Sequence, residues 1–374
     1  MGDGGRVIVV GAGVFGAATA SELAGRGWDV VLVERYHPGH VRASSGGLSR
    51  VLRFGHGDDV WHTSSAYRSL AAWGELEQDV GEELVVRTGM MWFAHAEDGW
   101  EATTERTLRA AGIPVERLTP EDAARAFPSL ATDDLAFVLH EPEAGAIRAD
   151  RATRALVRQA ERRGAEVVVG HAQRAGDGVS VDGARLEADA VVWACGPWLP
   201  GLFPGLVHLR ITRQEAVYFG APAAWRASQV PTWVDYDGAA YGTGDIDGHG
   251  FKCAPDVEGD ELDPDTEDRR PSPFSVERAR ELIGHRFPAL AQAPVVQTRV
   301  CQYSLTADTR FVLAPVPEAP GVFVAGGGSG HGFKHGPTIG RVMADLVEGH
   351  AAPDPAFGLG PRHAGTKLRT AGAR

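Results

Sequence analysis

The stretch Arg6 to Glu34, RVIVVGAGVFGAATASELAGRGWDVVLVE, constrains this chain more than any other. Val7 to Val10 form a short apolar run, the pattern of a parallel strand buried on both faces. Gly11, Gly13 and Gly16 then supply G-x-G-x-x-G, and Val14 to Arg26 continues with helical composition. Gly27 ends that helix, and Val30 to Val33 make a second buried strand closed by Glu34. Gly11 permits a tight turn, Gly13 lets a pyrophosphate approach the backbone, and Gly16 lets helix and strand pack closely. Val14 and Phe15 open the helix, whose free N–H groups and positive dipole end favour phosphate. Glu34, an acid about 20 residues on, can accept bonds from ribose hydroxyls and disfavours a 2′-phosphate. A lone glycine motif is weak. Strand, turn, helix, strand and terminal acid in one unit predict a dinucleotide-binding βαβ, which NAD and FAD both satisfy.

At 374 residues the chain can bury a large core and hold two domains. A formal net charge of −12 argues against nucleic acid, whose phosphates demand basic surface. No run of about 18 apolar residues exists, so no membrane-spanning helix is expected. The opening residues, MGDGGRVIVVG, lack the apolar core of a signal peptide, and a cytoplasmic enzyme is the simplest expectation. Cys195, Cys253 and Cys301 are widely spaced without C-x-x-C, which excludes a zinc ribbon and argues against a disulfide framework. The polar tail after Pro361 reads as loosely ordered.

After Glu34, Arg35 to Asp58 is rich in Gly, Ser and Arg and reads as a long functional loop. Its Arg42, Arg50 and Arg53 follow directly on a nucleotide motif, although each alone also suits a solvated surface arginine. Asp59 to Val80 reads as a helix, Leu84 to Phe93 as a strand, and Trp100 to Ala111 and Pro120 to Ala126 as short helices, the second capped by Thr119. Ala136 to His140 is strand-like and Ala149 to Arg163 helical. Glu166 to Val169 and Asp189 to Ala194 are strands, the latter running into Cys195-Gly196-Pro197-Trp198. Gly196 suits a turn close to a ligand. His208 to Ala254 alternates as strands, Asp256 to Pro273 is an acidic exposed loop, and Ser275 to Phe287 is a helix. Thr298 to Ser304, Phe311 to Ala314 and Val322 to Ala325 return to buried strands before the glycine-rich turn Gly326 to Gly332 and a final helix, Thr338 to Glu348. The fold class that follows is α/β. A Rossmann-like nucleotide domain (1–83, 146–207 and 296–374) is interleaved with a mixed α+β substrate domain on an antiparallel sheet (84–145 and 208–295).

The last segment is chemically dense, with Cys301-Gln302-Tyr303-Ser304 followed by Gly328-Ser329-Gly330-His331-Gly332-Phe333-Lys334. With these motifs, Gly11 to Glu34, and Ser49-Arg50-Val51-Leu52-Arg53, the chain resembles the monomeric sarcosine oxidase and N-methyltryptophan oxidase family of the D-amino-acid-oxidase-like flavoproteins. The resemblance runs over nearly the whole length. It implies FAD, held by Gly11, Gly13, Val14, Phe15, Gly16, Glu34, Arg35, Ser44, Ser45, Arg50, Cys195, Gly196 and Trp198, and by Gly328 to Lys334 at the other end. Cys301 matches the family cysteine that forms a thioether to the flavin 8α-methyl; read alone, it is a small hydrophobe. That attack needs the thiolate, so a neighbouring positive charge would help. Arg299 and Arg310 are near in sequence. Lys334, with Arg53, matches the pair that fixes a substrate carboxylate through charge-assisted bonds. Lys252 matches the lysine beside flavin N5 that promotes oxygen reduction, where a fixed cation stabilises developing negative charge. Arg50 matches an arginine over the other flavin face, and Tyr241 and Tyr303 match aromatic residues of the flavin and substrate environment.

Departures from the family pattern are equally specific. Gly46 stands where sarcosine-type enzymes carry a histidine, and Ala240 where they carry a tyrosine, so a larger pocket is expected. Asp245 and Asp247 could bind a second cationic group of the substrate, or simply bond their own turn. His331 and His335 lie four apart, but Gly332, Gly336 and Pro337 oppose the helix that would put both on one face, so no metal site is expected. The resemblance implies oxidation of a secondary, cyclic or N-substituted amino acid to an imine, with hydride transfer to flavin N5 and reoxidation by O2 to H2O2. It also implies a monomer with no nucleic-acid or membrane partner. Rival readings are an imino-acid oxidase that desaturates a ring in secondary-metabolite biosynthesis, an NAD-linked dehydrogenase, and a non-catalytic flavin-binding protein.

Overall fold

The computed structural model describes residues 4–176 and 178–364. Its architecture is α/β, with two large sheets and two small ones. The first large sheet runs, in spatial order, 312–315, 322–326, 190–193, 6–10, 29–34 and 166–169. Its strands pair in parallel except at the 312–315 edge, which is antiparallel. Val9 lies opposite Leu32 on one side and Val192 on the other. These strands are buried on both faces, which is why they read as continuous apolar runs.

The helix Val14–Gly25 packs against the helices Ala149–Arg162 and Gly336–Val347. A Cβ on Gly340 would stand 2.7 Å from the Ala18 carbonyl oxygen, so the last helix approaches the first through a residue without a side chain. The long helix Val60–Val80 starts at Asp59, whose carboxylate accepts the His62 N–H at 2.8 Å, and ends at Gly81 with φ +69.

The second large sheet runs 295–305, 210–219, 251–255, 240–243, 232–235, 90–94, 137–141 and 116–118. All of its pairs are antiparallel except 232–235 with 90–94. Its far face packs Val217, Phe251 and Trp233 against Ala279 and Ile283 of the helix Pro273–Arg286.

Several local expectations change. Val295–Leu305, which the sequence places with the nucleotide sheet from residue 296, pairs along Arg210–Phe219 in the second sheet. Its buried end made it look like a return to the first sheet. The 35–58 loop contains a strand, Ser49–Leu52, paired antiparallel with Gly145–Arg148. Only that distant partner makes so short a run a strand. The Leu84–Phe93 run breaks at Gly89, φ +67, into Val85–Arg87 and Met90–Ala94, which enter different sheets. A three-stranded meander between 172 and 186 was not anticipated. Asp256 to Pro273 is not simply exposed, because Asp256 and Leu262 are buried and Glu261 bridges to Thr212. The tail beyond residue 364 lies outside the described residues, and before it Arg362 donates to the Phe311 carbonyl at 2.8 Å. Among the described residues, no helix is long and apolar enough to cross a membrane.

Candidate active site

A cavity of about 370 Å³ runs between the two large sheets. One end is built by the first βαβ unit. Gly11 turns at φ +100, and its Cβ would lie 2.7 Å from the Ala194 carbonyl oxygen, so only glycine fits both the dihedral and the approach. Glu34 lines this end while accepting the Ala12 N–H at 2.7 Å and the Tyr36 N–H at 3.1 Å. Ser45 reaches across to accept the Val14 N–H at 2.9 Å, so that one helix N-terminal donor is already engaged. Gly13, Val14, Phe15, Arg35, Ser44, Cys195, Gly196 and Trp198 line the same end. Asp265, which sequence reasoning missed, also lines this end. Its carboxylate accepts from Arg35 at 2.6 Å and from the Trp198 indole at 3.1 Å. Arg42 donates to the Asp265 carbonyl at 2.8 Å, and Arg269 to Gln302 at 2.6 Å. Gln302 was also missed; it lines the cavity beside Tyr303.

The other end is lined by Ala325 to Gly330, Gly332 and Phe333. Gly330 turns at φ +79 where a Cβ would strike the Tyr303 ring at 2.7 Å. Four residues expected on the cofactor do not line the cavity. Gly16 packs beneath the Gly11 carbonyl, where its Cβ would sit at 1.9 Å, and so acts on packing rather than on a ligand. The His331 ring turns away to the Thr309 carbonyl, 2.8 Å from Nε2. Lys334 is buried and donates to the His331 carbonyl at 2.7 Å. Cys301 is half-buried, its Sγ 3.5 Å from the Arg50 guanidinium, which itself lines the cavity. The positive charge beside this sulfur is therefore Arg50. Arg310 instead pairs with Asp59 at 2.5 Å. Arg50 is fixed by the carbonyls of Ser44, Ser49 and Gly46, which a mobile surface arginine would not reach together.

Beyond this end lies a buried polar cluster. Lys252 donates to the Ser49 carbonyl at 3.1 Å and stands 5.2 Å from the Tyr241 ring centre. Burial, followed by the charge of Arg50, pushes the Lys252 ammonium down to about 7. The Tyr241 and Tyr303 hydroxyls meet at 3.1 Å, and Tyr303 donates to Asp256 at 3.2 Å. Burial raises the Tyr241 phenol, with Asp256 adding to it. Arg53 is buried against the Trp92 ring at 5.1 Å and donates to the Gly55 carbonyl. Burial pushes its guanidinium down to about 10, opposed by the charges of Glu141 and Asp256. Burial, then the charge of Arg53, holds Lys334 well below the usual lysine range. Glu141 is the counter-charge missed in the sequence. It is buried and accepts from the Phe54 N–H (2.6 Å), the Gly55 N–H (3.2 Å) and the Trp92 indole (2.6 Å). Its place at the end of a strand, HEPEAG, resembles any surface turn.

The expected departures resolve differently. A Cβ on Gly46 would point into the His40 carbonyl at 2.3 Å, so this position holds a tight turn and frees no pocket volume. Ala240 alternates with Tyr241 along the strand and packs into the apolar core with Trp233 and Phe251, on the face away from Tyr241. Neither residue therefore enlarges the site. Asp245 accepts the Gly250 N–H of its own turn at 2.9 Å, and Asp247 pairs with Arg148 at 2.8 Å. His331 and His335, expected to face apart, come together. Phe333–His335 forms a single 3-10 turn, and the two rings stand 5.9 Å apart beside His56.

The parallel sheet, the glycine turn and a long cavity that ends at Arg50, next to a buried cluster of basic side chains, fit a dinucleotide-dependent oxidoreductase. The residues fit FAD in particular, because the cavity continues from Glu34 past the glycine turn to Gly326–Phe333 and Arg50. The model of the DAO family, described as FAD dependent oxidoreductase, matches residues 6–346, and the chain belongs to that family. It is 31% identical to the monomeric sarcosine oxidase of Streptomyces avermitilis over 91% of this chain and 93% of that protein. An N-methyl-L-tryptophan oxidase of Yersinia pestis is 24% identical over 93% and 96% of the respective chains. The crystal structure of glycine oxidase from Geobacillus kaustophilus superposes with a TM-score of 0.78 at 28% identity, covering 96% of this chain and 100% of that one.

Proposed function

We propose that this enzyme oxidises a secondary, cyclic or N-substituted α-amino acid to an imine, with O2 as the final acceptor and H2O2 as product. The observation that carries the reading is the pair of buried cations, Arg53 and Lys334, beyond the end of a cavity shaped for FAD. Glu141 and Asp256 both act on Arg53, and Lys334 lies within reach of Glu141 as well. A substrate carboxylate here would meet two basic side chains out of water and be fixed by charge-assisted bonds from both. Bound FAD supplies the hydride acceptor and the electrons for oxygen. Arg53 and Lys334 would orient the substrate C–H bond, and the Tyr241–Tyr303 hydroxyl pair, 3.1 Å apart, would offer the amine neutral polar partners. Lys252 places a positive charge where oxygen gains electrons. Cys301, its sulfur 3.5 Å from Arg50 and so near the end of the cavity, is the group that would tether the cofactor through a thioether.

Lys334→Met should lower kcat/KM for carboxylate-bearing amines by about 10- to 150-fold, the worth of a charge-assisted bond of about 1.5–3 kcal/mol. Equal turnover of such amines by that variant would sink the reading. Flavin colour that stays with the acid-denatured polypeptide, and leaves with Cys301→Ser, tests the tether. An anaerobic screen of amino and imino acids for flavin bleaching identifies the substrate. It also separates simple amine oxidation from ring desaturation by the product formed.

A further inference from the structure

Behind the Lys334 turn lies a cluster that the oxidation does not use. One ring nitrogen from each of His56, His331 and His335 lies within 4.8 Å of those of the other two, and all three rings are buried. In each ring one nitrogen is already engaged. His56 Nδ1 meets the Phe54 carbonyl at 2.8 Å, His331 Nε2 the Thr309 carbonyl at 2.8 Å, and His335 Nδ1 the Ser65 hydroxyl at 3.0 Å. The opposite nitrogens, His56 Nε2, His331 Nδ1 and His335 Nε2, have no hydrogen-bond partner among the described residues. His62 repeats the pattern. Its Nδ1 meets the Asp59 carboxylate at 3.0 Å while its Nε2 is unpartnered, and its ring centre lies 5.3 Å from that of His331 and 5.6 Å from that of His335.

Four buried unpartnered acceptors or donors in one place are costly, because each forfeits the hydrogen bond it had in water. Imidazoles held at one nitrogen by a carbonyl, hydroxyl or carboxylate, with the other nitrogen free, are the arrangement that metal-binding histidines adopt. From these contacts we propose that His56, His331 and His335 bind one divalent transition-metal ion of the zinc class, with His62 the nearest fourth histidine. Tetrahedral zinc at about 2.0–2.1 Å from nitrogen needs ligand atoms about 3.4 Å apart, within a modest ring rotation of the spacing present. Burial lowers all three histidines, with Lys334 and Arg53 pushing the same way. Lys334 and Arg53 also oppose a cation here. Asp59, which pairs with Arg310 as well as His62, and Glu141, beside Arg53, offset only part of that charge. His331 and His335 flank Lys334 in the chain, so the ion would pin the turn that carries it. The site is independent of the substrate assignment.

The test is metal analysis of the flavin-loaded enzyme after dialysis against micromolar zinc chloride and then metal-free buffer. About one zinc per chain is expected in the wild type, and at least tenfold less in His56→Gln and His335→Gln, with flavin content and far-UV dichroism reporting that each variant is folded. Should either fail to fold, Ser65→Ala leaves every ring in place and removes only the bond that orients His335; it should weaken zinc about 10- to 100-fold. Wild-type enzyme that retains no zinc, cobalt, nickel or copper overturns the proposal. So does zinc retained equally by wild type, the histidine variants and Ser65→Ala. Amine oxidation is measured separately, so loss of zinc binding and failure of the proposed activity appear as different results.

Discussion

The two ends of the cavity are built by different means. At the nucleotide end the decisive features sit in one contiguous stretch, Gly11 to Glu34, and are backbone: a left-handed glycine, a missing Cβ and a helix start, with further lining added from the loop after Glu34 and the turn at Cys195–Trp198. At the other end the groups are charged or aromatic side chains from distant segments. Arg50 and Arg53 come from the loop after the first βαβ, Glu141 from an inserted strand, Tyr241 and Lys252 from neighbouring strands, and Tyr303 and Lys334 from the last segment. A backbone-made site tolerates almost any surface charge nearby but no added methyl. A side-chain-made site tolerates backbone adjustment but no unbalanced charge. That difference decides what breaks each end.

The largest effect is expected at the side-chain end. Glu141→Ala would strand the Phe54 and Gly55 N–H groups and the Trp92 indole together, and remove one of the two carboxylates that act on Arg53. Breaking a buried charge pair this way costs about 3–5 kcal/mol. A urea unfolding midpoint that does not move would mean Arg53 is balanced by something else. Next is Lys252. Replacing it with Met should slow reoxidation of reduced enzyme by O2 about 10²- to 10³-fold, the usual cost of deleting one preorganised electrostatic partner. Because its ammonium titrates near 7, the wild-type oxygen rate should also fall as pH rises through that value, and the fall should vanish in the variant. Stability carries the same signature with opposite sense. Unfolded Lys252 holds its proton up to about 10.4 and the folded one releases it near 7, so unfolding free energy gains with pH between those values. A pH-independent oxygen rate measured by stopped flow would separate Lys252 from this step.

At the backbone end the test is steric. Gly16→Ala places a Cβ 1.9 Å from the Gly11 carbonyl oxygen, so the turn must shift. The expected cost is about 1–3 kcal/mol, with loss of flavin on gel filtration. Gly13→Ala places its Cβ 3.3 Å from the Ser45 hydroxyl, which can rotate, so that variant should fold nearly as well while binding flavin more weakly. Equal thermal stability of Gly16→Ala and Gly13→Ala would remove the distinction between packing and ligand contact.

The same contrast governs what the sequence made visible. The βαβ unit, its glycines and most helices were legible because they are local, set by periodicity, caps and turns. The partner of Val295–Leu305 was not, because strand pairing is a non-local choice between two sheets that both bury apolar residues. Arg50, Arg53, Lys252 and Lys334 were reached only through resemblance, since nothing in a lone lysine's neighbours says that it is buried. Glu141 and Asp265 were invisible for that reason. Gly46 and Ala240 show the reverse failure. Both were read as lost volume in a pocket, whereas the chain puts one against the His40 carbonyl and the other on the far face of its strand.

The smallest effect separates charge at a surface from charge in the cluster. Asp247 is a carboxylate on the loop that leads into the Lys252 strand, and the sequence leaves it two roles, a bond within its own turn or a partner for a second substrate cation. In the fold it is part-exposed and paired with Arg148 at 2.8 Å and Arg151 at 3.5 Å, while the neighbouring Asp245 is spent on its own turn. Such a pair is worth about 0–1 kcal/mol, because solvent already screens both partners. Asp247→Asn should therefore shift the melting temperature little and leave KM for every amine unchanged, including amines that carry a second positive group. A rise in KM confined to those doubly charged amines would place Asp247 in the site. Charge would then matter at the rim as it does at Glu141, and the boundary between a solvated face and a buried, balanced one would have to be drawn further out.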